Sequence, residues 1–318
     1  MCASLGDGEI GLAAEKIDMR GKTVLLTGFT AGLGKASAFA LAEMGADLYL
    51  LARNREKGIR TIDGIRQGFP EANLELIVGD LGNLGDIRRM ASEFLATNRT
   101  LDVLFNNAGL INQERRTSVD GYEQTFAVNH LGHFLLTHLL LESLRESGAG
   151  RVVSTASGAH RFGGGLDFKD LQAEENYSTF GVYGRSKLAN ILFTQELARR
   201  EAGSGITANC FHPGFVGSDF SKNNGLFARV MMAGVAPFVR SPSKGGETGV
   251  YLCTSPEVTE ISGAYFYDMK AIEPAKRVFN PGDAQRLWEM SLDLTGLSGT
   301  GSIHDASAMR SHDEIATE

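Results

Sequence analysis

Short apolar runs alternate with longer helical patterns along most of this chain of 318 residues, and this rhythm constrains its fold more than any other feature. Seven runs are predicted to be strands, at residues 23–28, 46–52, 73–80, 101–109, 150–157, 205–214 and 263–268. The stretches between them are predicted to be helices, at 33–45, 54–68, 83–99, 119–146, 179–203 and 243–254. Such alternation is typical of βαβ units around a parallel sheet. Because the strands are nearly all apolar, helices are expected on both faces of the sheet.

The ends of the chain differ in composition from its middle. Residues 1–20 form a leader rich in Gly and Ala, and the small polar residues of 296–318 predict a flexible tail. No Pro/Ser-rich linker divides residues 21–295, which favours a single domain there. A looser helical lid is predicted over about 215–239 and a last helix over 282–294, where Trp288 is expected to be a core anchor.

Composition and charge exclude several classes of function. With 42% hydrophobic and 22% charged residues, the chain has the composition of a globular protein. A net charge of -7 argues against a nucleic-acid partner. The three cysteines have neither metal-ligand spacing nor an even number for disulfides, which fits a reducing compartment. No apolar run reaches the roughly 18–20 residues needed for a membrane span, and no secretory signal pattern is present, so a cytoplasmic location is predicted.

The first strand ends in the glycine-rich turn "TGFTAGLG", with Gly28, Gly32 and Gly34 placed between a strand and a helix. Glycines at such a turn permit close approach of a pyrophosphate, and the helix N-terminus offers unpaired N–H groups to an anion. Thr30 and Leu33 lie in the same turn and are predicted to contact the same ligand. The sequence therefore predicts a dinucleotide site, with a plain glycine-rich turn as the alternative.

The end of the second strand, "LLARN", carries Arg53 and Asn54 where dinucleotide sites often place an acidic residue. An acidic side chain would repel a 2′-phosphate, whereas Arg53 can bind one through charge-assisted hydrogen bonds. NADP(H) is therefore favoured over NAD(H). The alternative is a solvent-facing arginine at the start of a helix.

Two further turns follow predicted strands and complete the predicted dinucleotide site. Asp80, with Leu81 beside it, ends the third strand and can either accept a hydrogen bond from the adenine amino group or cap the next helix. Asn107, Ala108 and Gly109 belong to "NNAG" after the fourth strand, where small residues let the backbone pass close to a cofactor.

Tyr183 and Lys187 lie four residues apart in "VYGRSKLANILF", so on a helix they lie one above the other. A cation within about 4–6 Å favours the ionised form of a phenol, so Lys187 is expected to lower the pKa of Tyr183. The alternative from the pair alone is a surface aromatic with a solvated lysine. His130, His133 and His138 share another predicted helix, but without an accompanying carboxylate pattern they do not predict a metal site.

These motifs, in order and spacing, resemble the short-chain dehydrogenase/reductase family over about residues 20–295. The resemblance rests on "TGFTAGLG", Asp80, "NNAG", Asn129, Ser157, "YGRSK" (183–187) and "HPG" (212–214). The segment "VNHLGHFLLT" and the stretch around Tyr183 look most like the retinol-dehydrogenase-like and WW-domain-oxidoreductase-like branch. The resemblance implies a single Rossmann-type domain with a seven-stranded parallel sheet and hydride transfer between NADP(H) and a carbonyl or alcohol.

The resemblance also implies roles for four catalytic residues. Tyr183 is the acid and base, Lys187 tunes it and binds the nicotinamide ribose, Ser157 polarises the substrate oxygen, and Asn129 holds a water that relays protons. The branch usually has "NVSS" where this chain has "STAS" at 154–157, so the last serine is expected to be catalytic, with Ser154 as the rival. Further contacts to the cofactor are expected from Pro213, Gly214, Val216 and Ser218.

Family analogy places the substrate pocket on the loop 158–178 and the lid. The aromatic and Met side chains there predict a lipophilic ketone, aldehyde or alcohol, although about half of them are expected to pack the lid onto the core instead. The residues predicted to line the pocket are Phe162, Phe215, Phe220, Phe227 and Met231. A homodimer or homotetramer through helices 119–146 and 179–203 is expected. The competing function is a dinucleotide-binding redox sensor or scaffold with little turnover.

Overall fold

The computed structural model describes residues 17–214, 240–280 and 282–298. Its centre is an eight-stranded sheet with strand order β3-β2-β1-β4-β5-β6-β7-β8. The first seven strands pair in parallel, and β8 pairs antiparallel with β7. The strands are β1 Thr23–Thr27, β2 Asp47–Ala52, β3 Leu74–Val78, β4 Val103–Asn106, β5 Arg151–Thr155, β6 Thr207–Phe211, β7 Tyr265–Tyr267 and β8 Lys270–Ile272.

Helices cover both faces of this sheet. They are α1 Gly32–Glu43, α2 Arg55–Gly68, α3 Leu84–Leu95, α4 Gln124–Phe126, α5 Gly132–Glu146, α6 Thr179–Arg200, α7 Pro242–Thr254 and α8 Asp283–Leu294. A π-helical segment, Ala127–Leu131, joins α4 to α5, and short 3-10 turns lie at Gly158–Phe162, Pro256–Val258 and Lys276–Val278.

The alternation of side chains along β1 shows how the apolar strands build two cores. Val24 and Leu26 pack on one face of the sheet, among residues of α1 and α2, whereas Leu25 packs on the other face. Successive strand residues point to opposite faces, so a strand of continuous apolar residues contributes to both cores. All three side chains are fully buried, which confirms the predicted α/β architecture with helices on both faces.

The seven predicted parallel strands are confirmed, and the sheet has one further, antiparallel strand, because the short strand β8 follows β7 through a tight hairpin. The two residues of the turn, Asp268 and Met269, have φ of 49° and 60°. Two-residue hairpin turns that need positive φ are usually signalled by Asn-Gly or Asp-Gly. Met269 gives no such signal, so the sequence pattern did not reveal the hairpin.

The predicted helix over 119–146 begins later and is not uniform. Its first turn starts at Gln124 and widens into the π segment before α5 begins at Gly132. A wider turn of this kind frequently marks a functional site. The predicted last helix is confirmed as α8, whereas the lid over 215–239 and most of the leader and tail lie outside the described residues.

Helix α8 lies across α5 and α6, with Trp288 as its buried anchor. The Trp288 ring is stacked on Phe193 of α6 at 5.9 Å and meets Phe134 of α5 edge-on at 5.1 Å. The Arg200 guanidinium lies 4.5 Å above the same ring. In the part of the chain that the structure describes, no helix combines the length and apolar character needed to cross a membrane.

Candidate active site

The glycine-rich turn is closed by contacts that leave no room for side chains. Gly28 has φ of 71°, and a Cβ there would lie 2.7 Å from Cα of Ala108. A Cβ on Gly34 would lie 2.2 Å from the Gly28 carbonyl oxygen and 2.4 Å from Nδ2 of Asn107. Gly32 also has positive φ, 51°, which L-residues rarely adopt. These positions require glycine, whether or not a ligand is bound.

The N-terminus of α1 is suited to an anion. Among the described residues, no side chain caps this helix: Ala31 occupies the N-cap position and makes no side-chain hydrogen bond. The next two helices are capped, by Asn54 in α2 and by Asn83 in α3. The uncapped N–H groups of α1 therefore face the turn in which Thr30 and Leu33 lie half-buried.

Thr27, which the sequence analysis did not single out, joins this turn to the end of β4. Its hydroxyl oxygen accepts hydrogen bonds from the backbone N–H groups of Asn107 and Ala108, both at 2.9 Å. The Asn107 side chain donates to the carbonyl oxygens of Thr27 and Gly28. With its lone pairs occupied, Thr27 donates its own proton to Nε2 of His133 at 3.1 Å.

At the far end of the predicted dinucleotide site, Arg53 and Asp80 form an ion pair. Nη1 of Arg53 lies 3.6 Å from Oδ2 of Asp80, and two-thirds of the Arg53 side chain is exposed. Asp80 Oδ1 accepts from the Gly82 backbone N–H at 2.8 Å. The alternative that Asp80 caps α3 is wrong because Asn83 holds that position.

The two neighbours of this ion pair have structural roles. Asn54 caps α2 by accepting from the Lys57 N–H, and Leu81 is buried in the core beside α3 and α5. These contacts explain both residues without a ligand, so their role in binding a dinucleotide stays a prediction.

Asn129 lies in the π segment, and its buried side chain is fully hydrogen-bonded. Oδ1 accepts from the Leu110 N–H at 2.8 Å, while Nδ2 donates to the Leu110 carbonyl at 2.9 Å and to Ser186 Oγ at 3.0 Å. These bonds fix the chain that leaves β4 through Gly109 against α6. The Asn129 carbonyl oxygen accepts from Nδ1 of His133 at 3.2 Å.

Lys187 is buried between this segment and β5, with 3% of its surface exposed. Its ammonium donates to the Thr155 carbonyl oxygen at 3.0 Å. A Cβ on Gly109 would lie 3.4 Å from Nζ of Lys187, so the glycine keeps space open beside the ammonium. Burial lowers the pKa of Lys187 to about 8.

Tyr183 lies one turn before Lys187, with its ring centroid 5.7 Å from Nζ. Burial raises the pKa of the phenol, and a hydrogen bond with Ser157 lowers it by less. Burial is thus the largest influence on the phenol in the protein alone. The lowering of its pKa by the Lys187 ammonium stays a prediction.

Ser157, not Ser154, shares the hydrogen bond with Tyr183. Ser157 has left the sheet in an extended conformation, and its Oγ also accepts from the Ala159 N–H at 3.1 Å. Ser154 is a buried residue of β5, paired with β4 and β6 on its two sides. The structure thus brings Ser157, Tyr183 and Lys187 together at the carboxyl edge of the sheet.

The chain after β6 is held by a stack of side chains. The His212 ring is stacked on Tyr267 at 4.2 Å, and its Nδ1 accepts from the Gly214 N–H at 3.2 Å. Gly214, which follows Pro213, has φ of 77°. Arg240 pairs with Asp268 and lies 4.7 Å above Tyr267. Val216 and Ser218, also predicted to contact the cofactor, lie outside the described residues.

Two phenylalanines are exposed on the elements that carry Ser157 and Tyr183. Phe162, predicted to line the substrate pocket, is 69% exposed, and Phe180 at the start of α6 is 47% exposed. Phe180 precedes Tyr183 by one helical turn, and the helical spacing of these two aromatics was the signal that could have identified it. The other predicted pocket residues lie outside the described residues: Phe215, Phe220, Phe227 and Met231.

The three histidines of the 119–146 stretch are packed within the core. Burial lowers the pKa of His130 and His133 to about 3 and that of His138 to about 4. Within residues 17–214, 240–280 and 282–298, no group of three or more His, Cys, Asp or Glu side chains is placed to hold a metal ion.

A protein-family model and individual relatives both match this chain over most of its length. Residues 22–227 match the family model for short chain dehydrogenases. Retinol dehydrogenase 12 of Mus musculus is 39% identical over 287 residues, covering 90% of each chain. Retinol dehydrogenase 11 of Homo sapiens is 40% identical over 287 residues, with the same coverage.

Solved structures share the fold. An uncharacterised protein from Mycobacterium paratuberculosis superimposes with a TM-score of 0.71 and 30% identity, over 89% of this chain and 96% of the other. A candidate NAD(P)-dependent gluconate 5-dehydrogenase from Beutenbergia cavernae, with NADP bound, gives 0.64 and 25%, over 78% and 95%. These likenesses support a nicotinamide-dependent oxidoreductase acting on alcohol or carbonyl groups. The chain therefore belongs to the short-chain dehydrogenase/reductase family, in its retinol-dehydrogenase-like branch.

Proposed function

We propose that this protein interconverts a lipophilic ketone or aldehyde with its alcohol, using NADP(H), and that Tyr183 is the proton donor and acceptor. The observation that carries the proposal is the contact of Tyr183 with Ser157, one helical turn from the buried Lys187. All three side chains lie at the carboxyl edge of the sheet, where open α/β sheets bind ligands.

The raised pKa of Tyr183 suits it to deliver a proton. At neutral pH the phenol keeps its proton, which it can transfer to the substrate oxygen as the carbonyl carbon is reduced. Ser157 Oγ is a second donor for that oxygen. A bound nicotinamide dinucleotide supplies the hydride, or accepts it in the reverse direction. Lys187 holds a positive charge beside the phenol and favours its ionised form after transfer.

The preference for NADP(H) over NAD(H) is supported by Arg53. Its guanidinium is largely exposed, and its partner Asp80 is 3.6 Å away, so the ion pair is weak and a 2′-phosphate can compete for the arginine. The B. cavernae relative carries NADP in its structure.

The lipophilic substrate class is supported by exposed aromatic side chains on the two elements that carry Ser157 and Tyr183. Phe162 ends the 3-10 turn that Ser157 begins, and Phe180 lies in the first turn of α6, so both offer apolar surface to a substrate. The mouse and human relatives are named as retinol dehydrogenases, and retinol is itself a lipophilic alcohol.

Location and assembly are further parts of the proposal. The cytoplasmic location stays a prediction. For a homodimer or homotetramer through α5 and α6, helix α8 limits the surface that a second subunit can contact, because Trp288 already covers Phe134 and Phe193. Association is therefore expected through the parts of the two helices that α8 leaves exposed. Light scattering measures the stoichiometry, and a monomeric mass contradicts this part.

The function is tested by replacing Tyr183 with Phe and assaying a panel of carbonyl compounds with NADPH. Loss of general acid catalysis is expected to lower kcat by about 10²- to 10⁴-fold, with little change in NADPH affinity. Tyr251→Phe is the matched control, because that hydroxyl donates to the Glu257 carboxylate, outside the residues assigned to the proposed site. NADPH binding without turnover of any compound by the parent protein contradicts the proposal and favours a sensor or scaffold.

A further inference from the structure

His160 is completely buried beside Ser157, and the proposed reaction assigns it no step. It lies in the 3-10 turn that Ser157 begins, and its ring meets the Tyr265 ring edge-on at 5.3 Å. Both ring nitrogens have backbone partners. Nδ1 lies 2.7 Å from the Ser157 carbonyl oxygen, and Nε2 lies 3.1 Å from the backbone nitrogen of Ala275.

These partners determine which nitrogen carries the proton. The Ala275 N–H can only donate, so Nε2 of His160 must present its lone pair. The single proton of a neutral imidazole is then on Nδ1, where it is donated to the Ser157 carbonyl oxygen. A second proton on Nε2 would point at the Ala275 N–H, and two donors facing each other repel. Burial also lowers the pKa of His160, which keeps the ring neutral.

The hydrogen bonds of the His160 imidazole connect Ser157 to a distant segment, which the backbone bonds of the turn do not do. The Ser157 carbonyl oxygen also accepts from the His160 backbone N–H, at 3.2 Å, but that bond lies within one local turn. The imidazole extends the connection to Ala275, 115 residues further along the chain. Ala275 leads into the Lys276–Val278 turn, and Val278 packs with Leu188 of α6.

We propose that His160 is a positioning residue for the reaction. As the Nδ1–H tautomer it holds the Ser157 backbone so that the serine hydroxyl stays in contact with Tyr183, and it fixes this position relative to the segment that follows β8. The inference rests on the proposed function, because it acts through Ser157.

A double-mutant cycle between His160 and Ser157 tests this role. His160→Phe keeps a ring against Tyr265 but removes the hydrogen bonds to Ser157 and Ala275, together with the 3.5 Å contact of Nδ1 with the Tyr265 hydroxyl. It is expected to lower kcat about 10- to 100-fold, as small misplacements of reacting groups do, with NADPH affinity within about twofold of the parent. His160→Gln, which offers both a donor and an acceptor, is expected to restore part of the loss. In a Ser157→Ala background, His160→Phe is expected to change kcat by no more than about twofold.

The possible outcomes separate this inference from the proposed function. An equal loss of kcat from His160→Phe in both backgrounds shows a role independent of Ser157 and overturns the inference alone. A Ser157→Ala variant with the kcat of the parent overturns the inference and the role of Ser157, whereas loss of turnover in Tyr183→Phe still supports the proposed function. NMR of the ring nitrogens gives a measurement that needs no activity: an Nδ1–H tautomer near neutral pH is expected, and an Nε2–H tautomer or an imidazolium contradicts it.

His160→Asn tests the same network if His160→Phe does not fold. Its amide is short, so it can replace Nδ1 as the donor to the Ser157 carbonyl oxygen but cannot reach the Ala275 N–H. A kcat below that of the parent is expected in the Ser157 background, and no further loss in the Ser157→Ala background. A loss of the same size in both backgrounds overturns the inference.

Discussion

The Lys187 ammonium lies 3.0 Å from the Thr155 carbonyl oxygen, at the carboxyl end of β5, and is almost completely buried. One neutral acceptor does not replace the water that a cation loses on burial. The protein therefore maintains a charge beside Tyr183 at a cost in stability, and that cost is measurable.

The first prediction concerns the pH dependence of this cost. The pKa of Lys187 falls from 10.5 in the unfolded chain to about 8 in the fold, which corresponds to roughly 3 kcal/mol. Between these pH values the unfolded chain binds more protons than the folded one, so the free energy of unfolding rises with pH. Below this range the full cost of burying the Lys187 charge applies. Relative to Lys187→Met, the parent is expected to gain about 3 kcal/mol from pH 7 to 10.5, as measured by urea unfolding. Parallel pH profiles for the two proteins contradict this prediction.

The second prediction compares two helical glycines. Gly34→Ala places a Cβ 2.2 Å from the Gly28 carbonyl oxygen and is expected to destabilise the fold by about 1–3 kcal/mol and to weaken coenzyme binding. Gly64→Ala in α2 is the control, because the nearest atom is on Phe39 at 3.6 Å. The control is expected to stabilise by about 1 kcal/mol. Thermal unfolding and coenzyme titration measure both, and equal effects at the two positions contradict the packing described for Gly34.

The third prediction concerns coenzyme preference. Arg53→Ala is expected to weaken NADPH binding about 10- to 100-fold, the value of a lost charge-assisted hydrogen bond, and to leave NADH binding nearly unchanged. Arg60→Ala is the control, since this exposed arginine of α2 pairs with Glu56. Fluorescence titration with both coenzymes measures the preference. Equal affinities of the parent for NADPH and NADH contradict the assignment of Arg53.

The fourth prediction separates the two serines of "STAS". Ser157→Ala is expected to lower kcat by about 10²- to 10³-fold, because it removes a donor to the substrate oxygen. Ser154→Ala, within β5, is expected to change kcat only a few-fold and to act mainly on stability. Steady-state kinetics of both variants give the comparison, and a larger kcat loss from Ser154→Ala assigns the role to that serine instead.

The sequence was sufficient for the order of strands and helices because apolar runs and helical periodicity are local properties. It was not sufficient for what depends on contacts between distant segments. Strand 101–109 was predicted to end three residues too late, because the Asn107 side chain bonds to Thr27 and Gly28 and draws the chain out of the sheet. The same reason applies to His160, whose partner Ala275 lies beyond the reach of any local pattern.

The π segment around Asn129 shows a second limit. Its residues have the same apolar spacing as an ordinary helix, and the one glycine that follows it, Gly132, does not distinguish a π segment from an ordinary helix in the sequence. The hydrogen bonds of Asn129 to Leu110 and Ser186 hold the widened turn in place, and these partners come from other parts of the chain. Tertiary contacts therefore decide the local geometry here.

The predicted site for the pyrophosphate is assembled from segments about eighty residues apart, since Gly28 packs against Ala108 and the Thr27 hydroxyl accepts from the amides that follow β4. A chain in which β1 has not yet paired with β4 does not form this site. Coenzyme consequently binds the folded form alone, and its addition raises the apparent melting temperature with ligand concentration. A thermal-shift titration with coenzyme thus reports on completed folding of this half of the sheet, even before any substrate is known.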